Sequence, residues 1–125
     1  MQTLLFYTTD RQKQSQLQLL CRRLGISFRA IARSQLCCSL MSLAAGMPGP
    51  APGGSSIPAL YAQPELLVFS GFSSDALDRF LAAYRSSGLA PIALRAVLTP
   101  TNSSWSVYTL TTELRREHSL LQNQS

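Results

Sequence analysis

Apolar positions fall in blocks whose period changes along the chain. Leu4-Leu5-Phe6-Tyr7-Thr8 is a short, almost continuous apolar run bounded by Thr9-Asp10. A run of that length predicts a strand covered on both faces. The next block has helical spacing: Leu17, Leu20, Cys21 and Leu24 follow i, i+3, i+4, i+7. They predict a one-sided helix from Gln12 to Leu24, closed by Gly25. Both blocks then recur. Leu66-Leu67-Val68-Phe69-Ser70 predicts a second apolar strand, and Leu77, Phe80, Leu81 and Tyr84 predict a helix over Asp75 to Ser87, ended by Gly88. Thr9 with Gln12 suits a capping box at the first helix, and Ser73 or Ser74 suits a cap at the second. Each pair continues into a further strand, Phe28 to Ala32 and Ile92 to Leu98, and then a further helix, Leu36 to Ala45 and Ser103 to Leu121. The chain reads as β-α-β-α twice, a pseudo-repeat.

Such alternation predicts an α/β fold with a four-stranded, mostly parallel sheet. The two continuously apolar strands belong at its centre. Phe28-Arg29-Ala30-Ile31-Ala32-Arg33 alternates and reads as an edge, so the expected order is 2-1-3-4 with right-handed crossovers. The alternative is an α+β ferredoxin-like sandwich with an added C-terminal helix. It needs a hairpin-like link between the second and third strands, where this chain has a helix and a long connection. Residues 47–64, rich in Pro, Gly and Ser, break all periodicity and read as a surface loop joining two halves of one domain over residues 1–125.

Composition narrows this further. A chain of 125 residues with 46% hydrophobic content has room for one folded domain. No apolar run approaches the ~20 residues that span a bilayer. The N-terminus lacks a basic region followed by an apolar stretch of signal-peptide length, so the expected location is cytoplasmic and no membrane partner is expected. Three cysteines, Cys21 and the adjacent Cys37 and Cys38, show neither a disulfide pattern nor zinc-ligand spacing and are expected as small buried hydrophobes. The net charge of +5 is unevenly placed. Arg11, Lys13, Arg22, Arg23, Arg29 and Arg33 face Asp10 alone in residues 1–46, whereas residues 47–125 are balanced. That polarity suits an anionic ligand, an acidic partner or nucleic acid. Aromatic residues do not interleave with the arginines, which argues against nucleic acid.

In a parallel sheet, ligands bind beyond the carboxyl ends of the strands. Those ends carry Thr9 and Asp10, Ser70 and Gly71, and Thr99, Thr101 and Asn102 with Trp105 nearby. Together they form the candidate ligand-binding rim, and the helix N-termini behind it suit a small anion. The competing reading is structural, with Thr101 or Asn102 as a helix N-cap after the turn residue Pro100. Catalysis finds little support. His118 is the only histidine, Lys13 the only lysine, and no phosphate loop, dinucleotide-binding glycine pattern or metal cluster is present. The expectation is a non-enzymatic binding module for a small anionic ligand or a protein partner, with no cofactor. A hydrolase or transferase using Thr99, Thr101, Ser70 or Asp10 is one alternative, and nucleic-acid binding through the basic first third is another. Small size and the aromatic pair Trp105 and Tyr108 also suggest a homodimer.

Several motifs occur in a set order: Leu40-Met41-Ser42-Leu43-Ala44-Ala45-Gly46-Met47-Pro48-Gly49, then Glu65 to Phe72, then Leu77-Asp78 with Phe80-Leu81, then Pro91 through Asn102 and Trp105. In this the chain resembles a family of small bacterial proteins known only as a domain of unknown function. The resemblance implies that Phe69, Ser70 and Gly71, and Thr99, Pro100, Thr101, Asn102 and Trp105, belong to the family signature. It implies no activity. Ala44-Ala45-Gly46 carries one alanine more than the family pattern.

Overall fold

Strands β1 (Thr3–Tyr7) and β3 (Leu66–Ser70) occupy the centre of a four-stranded sheet. Both are buried on both faces, as their unbroken apolar runs require. The remaining elements are α1 (Arg11–Leu24), β2 (Ser27–Ala30), a 3-10 turn at Arg33–Gln35, α2 (Leu40–Ala44), α3 (Ser74–Ser86), β4 (Leu94–Val97) and α4 (Val107–Asn123). The computed structural model describes residues 2–51 and 57–123, with 118–123 described only as helical backbone. Residues 52–56 of the loop expected over 47–64, and the side chain of His118, lie outside the described residues.

The strand order is β2-β1-β3-β4, as the pattern predicts, but the sheet is mixed rather than mostly parallel. β1 pairs in parallel with β2, and β3 with β4, whereas β1 and β3 are antiparallel, with Leu5 opposite Val68 and Tyr7 opposite Leu66. The two β-α-β halves thus meet in opposite directions, related by a near two-fold rotation normal to the sheet. An apolar run buried on both faces has the same pattern whichever way it runs, so periodicity is blind to this choice. The ferredoxin-like alternative is not adopted: β2 lies beside β1, and β3 carries no hairpin to it.

Alternate residues of the central strands enter two cores. Leu4, Phe6, Leu67 and Phe69 pack against Leu17, Leu20 and Cys21 of α1 and Phe80 of α3. Leu5, Tyr7, Leu66 and Val68 pack against Leu40 and Leu43 of α2 and Val107 and Leu110 of α4. The layers are therefore two helices, one sheet and two helices.

Local chemistry sets the helix ends. Asp10, not Thr9, caps α1, its Oδ1 accepting from the Lys13 N–H at 3.1 Å. Gly25 ends that helix at φ 73°, a left-handed conformation that favours glycine. Ser73 caps α3 by accepting from the Ala76 N–H. The helix expected over Leu36 to Ala45 is shorter, because Ser39 accepts from the Ser42 N–H and so starts α2 at Leu40. α4 starts at Val107 rather than Ser103, after Ser106 caps the Thr109 N–H.

The cysteines divide. Cys21 is fully buried, Cys38 is intermediate and Cys37 is exposed, so Cys37 departs from the buried role expected of all three. Burial pushes the Cys21 thiol up to about 12 from 9.0. The unfolded chain then ionises first, so stability is expected to fall as pH rises from 9.0 toward about 12. Urea midpoints measured across that range should show the decline, and Cys21→Ala should lessen it. In native protein, iodoacetamide should label Cys37 readily and Cys21 only after unfolding.

Candidate functional site

Because β1 and β3 run oppositely, their carboxyl ends lie at opposite edges of the sheet. Thr9 and Asp10 sit at the edge where Tyr7 meets Leu66, and Ser70 and Gly71 sit where Thr3 meets Ser70. Since β3 and β4 are parallel, Thr99, Thr101, Asn102 and Trp105 share the Ser70 edge. The single rim expected from a parallel sheet is therefore two half-rims, a strand length of about 13 Å apart at ~3.3 Å per residue. Asp10 shares no site with Ser70, Thr99 or Thr101.

At the Ser70 edge the polar residues bind one another. The Thr99 N–H donates to Asn102 Oδ1 at 2.8 Å, the Asn102 N–H donates to Thr99 Oγ1 at 3.2 Å, and Asn102 Nδ2 donates to the Val97 carbonyl at 3.0 Å. Asn102 is buried by this closure, whereas Thr101 stays exposed. The turn then serves another element. The Ser103 and Trp105 carbonyls accept from the Met41 and Leu40 N–H groups, which are otherwise unpaired at the start of α2. In return the Val107 and Tyr108 N–H groups at the start of α4 donate to the Cys38 and Leu36 carbonyls. Two helix starts satisfy each other across an extended crossing. Neither Thr101 nor Asn102 caps α4. Trp105 is partly exposed and packs on the α2/α4 core.

The opposite edge holds a different set. Glu65, immediately before β3, accepts at Oε1 from Lys13 Nζ at 2.7 Å and at Oε2 from Thr8 Oγ1 at 2.6 Å. The Lys13 side chain is 9% exposed and that of Glu65 27%. This is the only ion pair among the described residues. It ties the start of α1 to the start of β3 and so joins the two halves. Lys13→Ala is expected to destabilise by about 2 kcal/mol, because it leaves a partly buried carboxylate unpaired while residual exposure screens the loss. Lys13→Met with Glu65→Leu should recover most of that in chemical denaturation, since no charge is then stranded.

Beside the pair, on the same face of the sheet, lies a cleft of about 240 Å³ between the end of α3 and β4. Leu67, Phe80, Leu81 and Ile92 form apolar walls, and Arg85 and Arg95 stand exposed among the lining residues. Tyr84 lines it too, its hydroxyl donating to the Ala90 carbonyl. Burial pushes the Tyr84 phenol up, the Glu65 carboxylate adds to that, and Arg95 opposes it. Neither Arg85 nor Arg95 forms an ion pair among the described residues. The cleft therefore offers two cations over an apolar floor and no carboxylate in its lining.

Lys13, Glu65, Arg85 and Arg95 do not belong to the candidate rim read from the sequence, and Thr8 adjoins it. One signal was present for Lys13: it lies four residues before Leu17, on the stripe that α1 buries. Thr8 and Glu65 carry no local mark, because antiparallel pairing of β1 and β3 brings them together. Arg85 and Arg95 carry none because only the packing of α3 against β4 sets them around the cleft. Among the described residues no cluster of three or more His, Cys, Asp or Glu side chains forms, and no helix is long and apolar enough to cross a membrane.

No curated protein and no solved structure matches the chain. A family model does match, over residues 65–121. That stretch runs from the carboxylate of the ion pair through the cleft and the Thr99–Trp105 turn into α4, and it leaves out Thr8 and Lys13. Over that stretch the chain is similar to the family described as a domain of unknown function (DUF3783).

Proposed function

We propose that the protein is a non-catalytic binding module whose cleft between α3 and β4 takes a small anion with an apolar body, such as an aryl or alkyl carboxylate. The observation that carries this reading is the pairing of apolar walls with Arg85 and Arg95, neither neutralised by a carboxylate among the described residues. Small-ligand sites are mostly apolar with a few convergent polar groups. A guanidinium suits a planar carboxylate because it can donate two parallel hydrogen bonds. The cleft volume of about 240 Å³ suits a ligand of benzoate or short fatty-acid size. This relocates the anion expected at a strand-end rim to one edge of the sheet and one helix end.

Thermal-shift measurements with benzoate, octanoate, inorganic phosphate and an uncharged ester of each acid test the proposal. The acids are expected to stabilise the protein and the esters are not. Arg95→Ala should weaken carboxylate binding about tenfold or more, since charge-assisted hydrogen bonds contribute ~1.5–3 kcal/mol. No shift with any acid, or an equal shift in Arg95→Ala and Arg85→Ala, would sink it.

A further inference from the structure

We propose that a second groove, along the outer side of α1, docks a protein partner through an acidic segment bearing a leucine or similar apolar side chain. The starting observation is a misfit within α1. Leu17 and Leu20 are buried, but Leu19 between them is 57% exposed. It is not stranded on bare surface. Leu19, Leu20 and Leu89 line a groove of about 350 Å³ between the second half of α1 and the turn after α3, with Arg22, Arg23 and Gln16 around it. No carboxylate lines the groove, and neither arginine forms an ion pair among the described residues. Both belong to residues 1–46, where the whole excess positive charge lies. The surface therefore holds a leucine slot flanked by two guanidinium groups.

Charge complementarity selects the occupant. An apolar side chain fills the slot, and flanking Asp or Glu residues meet Arg22 and Arg23, giving an apolar centre with a charged rim. A second copy of this chain fits poorly, because a two-fold contact sets the same patch against itself and so opposes arginine to arginine. Nucleic acid fits poorly too, because no aromatic side chain lines the groove for bases to stack on. Leu89 borders both the groove and the anion cleft, but Leu19, Arg22 and Arg23 line only the groove, so their substitution tests this inference apart from that reading.

Fluorescence anisotropy tests it with a labelled twelve-residue peptide carrying leucines at helical spacing among glutamates. Saturable binding is expected, weakening as salt is raised. Leu19→Ser should weaken it about fivefold and Arg22→Glu with Arg23→Glu about tenfold or more. Arg115→Glu with Arg116→Glu, an equal charge change on α4, should leave the affinity unaltered. Far-UV circular dichroism checks that each variant is folded, which the exposure of Leu19, Arg22 and Arg23 favours. The proposal is overturned if the peptide fails to bind by about 1 mM, or if versions with Lys for Glu or Ser for Leu bind equally well. It is also overturned if an oligothymidylate binds more tightly through the same arginines, or if sedimentation shows a dimer that Leu19→Ser dissolves.

Discussion

Phe80→Ala is expected to destabilise the protein by about 3–5 kcal/mol, the largest effect of any single substitution considered. Phe80 is fully buried and anchors α3 on the sheet. Its ring meets Phe69 edge-on at 5.4 Å and Phe72 at 6.3 Å, and lies tilted against Tyr84 at 6.2 Å. Truncation removes both the transfer free energy of the ring and its aromatic partners, and the rigid sheet beneath cannot collapse into the gap. The ring also lines the anion cleft and a smaller cleft of about 70 Å³ near Ile26. Loss of Phe80 should therefore weaken carboxylate binding as well as stability. Phe80→Leu, which keeps much of the volume, should cost about 1–2 kcal/mol. Urea denaturation of the three proteins checks the order. A cost below ~1 kcal/mol for Phe80→Ala would mean that α3 is held elsewhere.

Asn102→Ala is expected to cost about 3 kcal/mol. The carboxamide accepts from the Thr99 N–H and donates to the Val97 carbonyl, and no other side chain replaces either contact. Each lost hydrogen bond contributes ~0.5–1.5 kcal/mol, and an orphaned buried partner adds its own desolvation cost. Loosening of the turn also weakens its grip on the Leu40 and Met41 N–H groups, so α2 should lose protection from hydrogen exchange although it is remote in sequence. Asn102→Asp separates the two contacts: it can still accept from Thr99 but cannot donate to Val97, so an intermediate cost is expected. Thr101→Val, at the exposed neighbour, should change stability by less than ~0.5 kcal/mol. Equal losses at Thr101 and Asn102 would refute this account of the turn.

Much of this architecture is legible in the sequence. The strand at Leu66 to Ser70 begins and ends where its apolar run does, and α1 and α3 lie where their stripes place them. The order of strands follows from which runs are continuous and which alternate. The helix starts were less legible. Ser103 to Trp105 reads as a first helical turn, yet its carbonyls are taken by α2. That diversion depends on a segment some sixty positions earlier, Leu36 to Met41, and no local propensity reports it.

The candidate site was legible only in part. The polar residues after β4 are what the sequence suggests, a well-formed turn, but their hydrogen bonds face inward. Lys13, the one lysine, reads on its own as an exposed residue at a helix start, and it is buried because Glu65 waits across the sheet. Arg85 and Arg95 carry no local signature at all. They belong to different elements, and only the packing of the end of α3 against β4 sets them around one cleft.

Sequence alone determined what periodicity and composition encode: which segments are strands or helices, which strands are central, where the positive charge lies, and that the chain repeats one plan twice. Tertiary structure alone decided the direction in which the two halves meet. A strand buried on both faces presents the same apolar pattern running up or down, so the choice rests on register and long-range closure. The antiparallel choice divides the expected rim and pairs Lys13 with Glu65, while the packing of the end of α3 against β4 forms the cleft beside them.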